Sequence, residues 1–283
     1  MNQLIKHFPM LLTNYMQIEP FSERIKIYAL PKEEKMPLFL DSLKRVARTQ
    51  HCDKLIFYVT QEDRTRESLK QFELEGAIKG FFKGKDAFIY SFFLHPSRNY
   101  TVDPQKEKRV IEQACAVTKK AGRSILPAKY TMRRPTENDA EEMSRLYRSV
   151  FKTYPTPMHD PDFIRGVMKN EVYFTVIEHK DRIISACSAD VLPSFQSAEM
   201  SDCATIEEHR NKGLLSYQFS FLIRLMQQKK IWTLFSYSRS LSLGMNVVNI
   251  YHGFTYGGRM VRNSNISGQL ESMNIWYRQL RTT

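Results

Sequence analysis

The chain has 283 residues, 42% hydrophobic, 12% aromatic and 25% charged, a globular composition large enough for two domains and a substantial core. Its net charge of +12 favours anionic partners, but Lys and Arg are spread along the chain without zinc-finger or RNA-binding signatures, so nucleic acid is disfavoured. No apolar run approaches a membrane span, the opening MNQLIKHFPMLLTNYM lacks a signal-peptide core, and four distant cysteines (Cys52, Cys115, Cys187, Cys203) predict reduced thiols in a cytoplasm.

Residues 1 to about 50 are mixed, with PLFLDSLKRVARTQ at helical spacing. DKLIFYV, 53–59, reads as a buried strand. EDRTRESLKQFELEG follows as an expected amphipathic helix, with Gly76 as its C-terminal stop. AIKGFFKGKDAFIYSFFL, 77–94, predicts two strands joined at Lys83-Gly84-Lys85-Asp86. A polar stretch then carries one helical segment, PQKEKRVIEQACAVTKKAG, and reads as a connector.

YTMRR begins a second unit as a strand. Thr136 caps a helix whose first turns hold Glu137, Asp139, Glu141 and Glu142. VYFTVIEHKDRIISACSADV reads as a hairpin turning at Lys180-Asp181, SAEMSDCATI as a strand, and GLLSYQFSFLIRLMQQKK as a long helix. IWTLFSYS is a strand, SLGMNVVNIYHG a helix ending near Gly253, and the remainder two closing strands. The fold class is therefore α/β with a mixed sheet, divided into an N-terminal α/β domain, 1–125, and a second domain, 126–283. The N-terminal unit repeats the strand–helix–strand–strand order. It reads either as a degenerate copy of the second unit or as an unrelated α/β cap, and it has no cofactor loop.

The turn Arg210–Leu215 lies between a strand end and a helix start. Free N–H groups converge there, the helix dipole attracts anions, and Gly213 permits close approach, as a pyrophosphate requires. A plain loop before a surface helix is the alternative.

Taken together, Arg210, Lys212 and Gly213, the opening RRPTENDAEEMSRLY and the later GMNVVNIYHGFTYGG resemble the GCN5-related N-acetyltransferases (GNATs), over roughly 128–283. Leu215 stands where that family's loop has a second small residue. DCATIEEHRNKGL, SLSLGMNVV and GFTYGGRMVRNSNISG resemble, more narrowly, the β-lysine N-acetyltransferases. The resemblance implies a GNAT fold in the second domain, acetyl-CoA as co-substrate, no metal, and a small cationic amine as acceptor, with Nε-acetyl-β-lysine as product and a compatible-solute role. A non-catalytic GNAT scaffold, or acetylation of another amine or a protein, stays open.

GNAT-type transfer needs a donor cradle, an oxyanion donor, a neutral amine and an acid for the leaving thiolate. The resemblance places the cradle on Arg210, Asn211, Lys212, Gly213, Leu214 and Leu215, and the pantetheine contact on the strand edge at Cys203, Ala204 and Thr205, where one N–H faces the oxyanion. Asn246 is expected to bond the donor arm. Neutralising a lysine-type ammonium at pH 7 costs about 4.6 kcal/mol, so a base is needed. Glu199 is the first choice and Asp202 the second; three apart on a strand, both reach one cleft only through a bulge. Tyr251 is the expected acid, with Tyr237 and Tyr256 as fallbacks. Asn263 and Asn265 are candidates for pairing the far end of the acceptor.

Overall fold

The computed structural model describes residues 15–101, 103–117 and 125–281. The N-terminal part runs β1 (Met16–Glu19), β2 (Arg24–Ile27), α1 (Met36–Thr49), β3 (Lys54–Val59), β4 (Glu73–Phe82), β5 (Lys85–Phe93) and α2 (Pro104–Ala116). It continues as β6 (Thr131–Arg133), α3 (Ala140–Val150), α4 (Pro161–Met168), β7 (Val172–His179), β8 (Arg182–Leu192) and β9 (Ser197–Thr205). The last elements are α5 (Leu214–Gln228), β10 (Thr233–Arg239), α6 (Leu243–Tyr251), β11 (Thr255–Ile266) and β12 (Gln269–Gln279). Among the described residues the strands form one mixed sheet of twelve, ordered β1-β2-β3-β5-β4-β11-β12-β10-β9-β8-β7-β6.

Alternation in β3 shows how the sheet is covered. Leu55, Phe57 and Val59 pack with Phe39, Leu43 and Val46 of α1. Ile56 and Tyr58 point to the other face and join Phe81, Phe235, Met260 and Ile275, residues drawn from both parts of the chain. With both faces buried, the strand reads as an unbroken apolar run. The second part has its own core, in which Phe219, Leu222 and Met226 of α5 pack against Ala189, Ala198 and Leu234. On the opposite face of β7–β9, Met143, Leu146 and Tyr147 of α3 meet Val176 and Ala186.

The expected helix over 62–76 does not form. Two short 3-10 turns, Glu62–Thr65 and Glu67–Leu69, lead instead into β4, while Leu69 and Phe72 anchor on the α1 core. Gly76 is not a helix stop. It lies inside β4, opposite Ile89 and Gly258, and a Cβ there would sit 2.4 Å from the Gly257 carbonyl oxygen. Sheet pairing across this contact outweighs local helix propensity. The two hairpins turn at Lys83-Gly84 and Lys180-Asp181, with φ of 52° and 98°, and 51° and 57°; Lys85 and Asp86 already belong to β5.

The expected connector helix, α2, is docked rather than loose. Its buried Glu107 accepts hydrogen bonds from Ser240 Oγ and Arg259, each at 2.8 Å. Further ties join the two parts: Ser197 Oγ donates to the Phe81 carbonyl at 2.6 Å, and Thr233 Oγ1 to that of Lys79 at 2.8 Å. Among the described residues no helix is long and apolar enough to cross a membrane.

Candidate active site

Strands β9 and β10 run parallel and pair only at Ser197↔Thr233, Ala198↔Leu234 and Glu199↔Phe235. Beyond these pairs they separate, and both facing edges open onto a cavity of about 1040 Å³. The edge of β9 facing β10 therefore has no strand partner over Met200–Thr205, and an extended ligand can add there as a strand does.

At the far end of β9, a short turn over Glu207–His209 leads to Arg210, Asn211 with φ 59°, Gly213 with φ 73°, and the first residue of α5. The left-handed conformation at 213 is one that glycine adopts without strain. A Cβ built there meets nothing within 4 Å, so the space beside the backbone is open. The first-turn amides of α5 have no intrahelical acceptor. Together, the open edge, the free amides and the space at Gly213 fit the pantetheine and pyrophosphate of acetyl-CoA. Arg210 is folded back, donating from Nε to the Thr205 carbonyl at 3.0 Å.

A bulge shapes the middle of β9. Between the pairs Ala186↔Ala204 and Ser188↔Ser201, Asp202 and Cys203 oppose the single residue Cys187, and Asp202 has a φ of 50°. As a result Glu199 and Asp202 line the same cavity. Asp202 is buried, and Ser188 Oγ bridges it to Asp190, at 2.8 Å and 2.6 Å. Burial pushes both of these carboxyls up. The Glu199 carboxylate makes no hydrogen bond among the described residues. Burial raises it to about 7, against the opposing pull of Lys26 and Arg24.

Of the expected donor-binding residues, Cys203, Thr205, Arg210, Asn211, Gly213, Leu214 and Leu215 line the cavity. Ala204 turns its side chain into the α3 core, and Lys212 lies outside the cavity wall, donating to the Glu208 carbonyl. Leu215 also packs on the α5 core, which accounts for a large residue at that position. Asn246 does not reach the cavity. It is fully buried and donates to the Arg239 and Ser242 carbonyls at 3.1 and 2.8 Å, while its Oδ1 accepts from Ser238, Asn274 and Trp276. Its polar capacity is spent on joining β10, α6 and β12, so it is a structural hub rather than a donor contact.

Tyr251 ends α6 and does not line the cavity; Tyr256 lies outside it, edge-on to Trp276 at 5.5 Å. Tyr237 does line it. Asn263 is fully buried, and Asn265 accepts from Thr153 Oγ1 at 3.2 Å; neither faces the cavity. Cys203 lies 3.3 Å from Cys187 Sγ, with no base beside it to make it a nucleophile. His209 stands at the cavity rim, its Nδ1 3.0 Å from the Tyr130 hydroxyl, with its pKa lowered by burial and by nearby Lys212 and His179. Among the described residues no group of His, Cys, Asp and Glu is placed to hold a metal ion.

The sequence reading missed the far wall. Glu19 of β1, Arg24, Lys26 and the following Tyr28, and Tyr58 of β3 all line the same cavity. Arg24 bonds Glu19 at 2.5 Å, the Asn263 carbonyl at 2.7 Å and Ser264 Oγ at 2.8 Å, and Lys26 Nζ is 2.8 Å from Glu19. Burial alone would raise Glu19, but the two cations outweigh it and hold the carboxyl at about 2. The signal was present in RIKIY, where Arg24, Lys26 and Tyr28 alternate with Ile25 and Ile27.

No family model matches the chain. It is 35% identical over 272 residues to the N-acetyltransferase YodP of Bacillus subtilis (strain 168), covering 95% of this chain and 97% of that one. It is 29% identical to a beta-lysine N(6)-acetyltransferase of Methanosarcina mazei, over 84% of this chain and 96% of that one. The protein of the same name in Methanococcus maripaludis is 28% identical, over 93% and 94%. A solved N-acetyltransferase from Staphylococcus aureus Mu50 superposes on 54% of this chain and all of its own, with TM-score 0.48 and 13% identity. The protein is an N-acetyltransferase. The chain belongs to the same N-acetyltransferase family as YodP.

Proposed function

We propose that the protein transfers the acetyl group of acetyl-CoA to the ε-amine of β-lysine, giving Nε-acetyl-β-lysine. The observation that carries this reading is a single cavity holding the α5 amide cradle and, on the strand that leads to it, the half-buried carboxylate of Glu199. Two relatives named for β-lysine acetylation match along most of the chain.

Acetyl-CoA supplies an activated thioester; the protein holds it, directs the amine and moves protons. The cradle from Arg210 to Leu215 takes the pyrophosphate, and the open edge of β9 takes the pantetheine arm. A backbone N–H near the bulge faces the carbonyl oxygen as it gains negative charge. Glu199 receives the proton of the acceptor ammonium. A carboxylate titrating at about 7 is half ionised at neutral pH and is a stronger base than an ordinary glutamate. Asp202, tied to Asp190 through Ser188, makes the same wall attractive to a cationic amine. Tyr237 is assigned the hydrogen bond to the departing sulfur, because it is the one of the three candidate tyrosines that faces the cavity.

Residues 126–283 carry the donor groove and Glu199 and are read as the catalytic unit, with 1–125 as a second unit sharing its sheet. All four cysteines are free, which supports a reducing cytoplasm.

The test is an acceptor screen with acetyl-CoA, comparing β-lysine with α-lysine and mapping the product by mass spectrometry. The isomers differ in where the second ammonium sits relative to the carboxylate, and a site that pairs one leaves buried groups unmatched with the other. Preference for β-lysine with acetylation at the ε-nitrogen is expected. Equal rates on both, or modification of the β-amine, would overturn the substrate assignment.

A further inference from the structure

The cavity has two electrically different walls. Asp190, Glu199 and Asp202 stand on β8 and β9, and Arg24 and Lys26 face them from β2. Glu19 is the acidic partner of both cations, so this wall carries two positive charges against one negative. Arg24 is committed: it ties β2 to the Asn263 carbonyl and Ser264 Oγ of β11 as well as to Glu19. Lys26 makes a single ion pair among the described residues, leaving ammonium protons to spare beside the cavity. A largely buried cation with half a counter-ion is costly unless something in the site completes its neutralisation.

The position of this wall narrows what that something is. The pyrophosphate cradle follows Thr205, at one end of β9, whereas Lys26 and Arg24 act on Glu199, near the other. Six strand residues separate the two ends by about 20 Å. The cations therefore face the acceptor rather than the phosphates of the donor. An amino-acid acceptor with a distal amine carries one anionic group, its carboxylate, at the end away from the reacting nitrogen.

We propose that the N-terminal part of the chain forms the acceptor-carboxylate subsite, with Lys26 binding the carboxylate and Glu19 and Arg24 holding Lys26 in position. The proposal rests on the amino-acid acceptor reading above, and assigns a role in substrate selection to a region without a donor loop.

The experiment is steady-state kinetics of the full chain and of Lys26→Met and Lys26→Arg, with β-lysine and with the diamine left when β-lysine loses its carboxylate. Acetyl-CoA affinity and melting temperature report folding. Loss of a charge-assisted contact is expected to raise KM for β-lysine about 30-fold in Lys26→Met, with a smaller change in kcat. Lys26→Arg, which keeps the charge, is expected to recover most of that loss. An unchanged KM in a folded Lys26→Met protein overturns the subsite. Equal wild-type rates on β-lysine and the diamine overturn the amino-acid acceptor reading instead.

Discussion

Tyr58 of β3 and Tyr237 of β10 hold their hydroxyl oxygens 2.6 Å apart across the meeting of the two parts of the chain. Burial raises both phenols, so neither ionises in the working range. One hydroxyl donates to the other. When Tyr58 is the donor, the Tyr237 proton is left to point into the cavity, where the thioester sulfur is expected. A residue from the N-terminal part thus orients a candidate proton donor of the catalytic part.

Tyr237→Phe is expected to lower kcat about 100-fold or more, the range for loss of one positioned acid, with acetyl-CoA affinity nearly intact. Tyr251→Phe is expected to keep wild-type turnover within about twofold, since its ring is outside the cavity. Calorimetric binding and initial rates on both variants check the pair; a large loss in Tyr251→Phe alone returns the acid role to α6.

Glu199 makes activity and stability oppose each other. As a base it acts ionised, so kcat/KM is expected to rise with pH and level off above about 7. Its folded pKa lies above the unfolded value of 4.5, so ionisation disfavours the folded state. That cost is absent below pH 4.5, grows as pH rises, and is complete above about 7. Glu199→Gln is therefore expected to cut turnover about 100-fold or more while melting higher than wild type at pH 8, with the gap closing at acid pH. Melting curves across that range, alongside rates, decide it.

Gly213→Asp places a carboxylate at the phosphate approach. No atom obstructs the new Cβ, so the folding cost is that of a non-glycine residue at φ 73°, about 1 kcal/mol. The expected loss of acetyl-CoA affinity is larger, at least about tenfold. Calorimetry and denaturant titration on the same variant separate the two effects. Unchanged affinity counts against the cradle.

Asn246→Ala removes the shared acceptor of Ser238, Asn274 and Trp276. Buried donors left without partners cost about 1–3 kcal/mol each, so urea unfolding is expected to show a loss of about 3 kcal/mol or more. Acetyl-CoA affinity of the folded fraction is expected to stay at the wild-type level.

Much of this architecture was legible because each local signal agreed with the final packing. Phe39 announces its buried face by helical period and Leu55 by its place in an unbroken apolar run, and the Arg210–Leu215 turn announces its amides by position. Gly76 misled because helix stops and tight strand contacts use glycine for different reasons, and only the tertiary neighbour distinguishes them. Asn246 misled in the same way: a buried amide and a ligand-binding amide look alike until the partners are known. The joint placement of Glu199 and Asp202 depended on a bulge, which spacing names only as a condition. The cationic wall was out of reach as a site, because Lys26 and Glu199 are distant in sequence and come to line one cavity only in the folded chain.

The meeting of β4 and β11 rests on bare backbone. A Cβ at Gly257 would lie 2.2 Å from the Ala77 carbonyl oxygen, and one at Gly258 2.2 Å from that of Glu75. At Gly76, Gly257 and Gly258 no side chain stands between the two backbones, which is what lets the strands approach this closely. Cutting the protein between α2 and β6 would leave each fragment with a stripped, adhesive border, prone to recruit any passing extended peptide. Each part thus supplies the cover for the other's exposed strand, and expressing either alone is expected to cost it solubility.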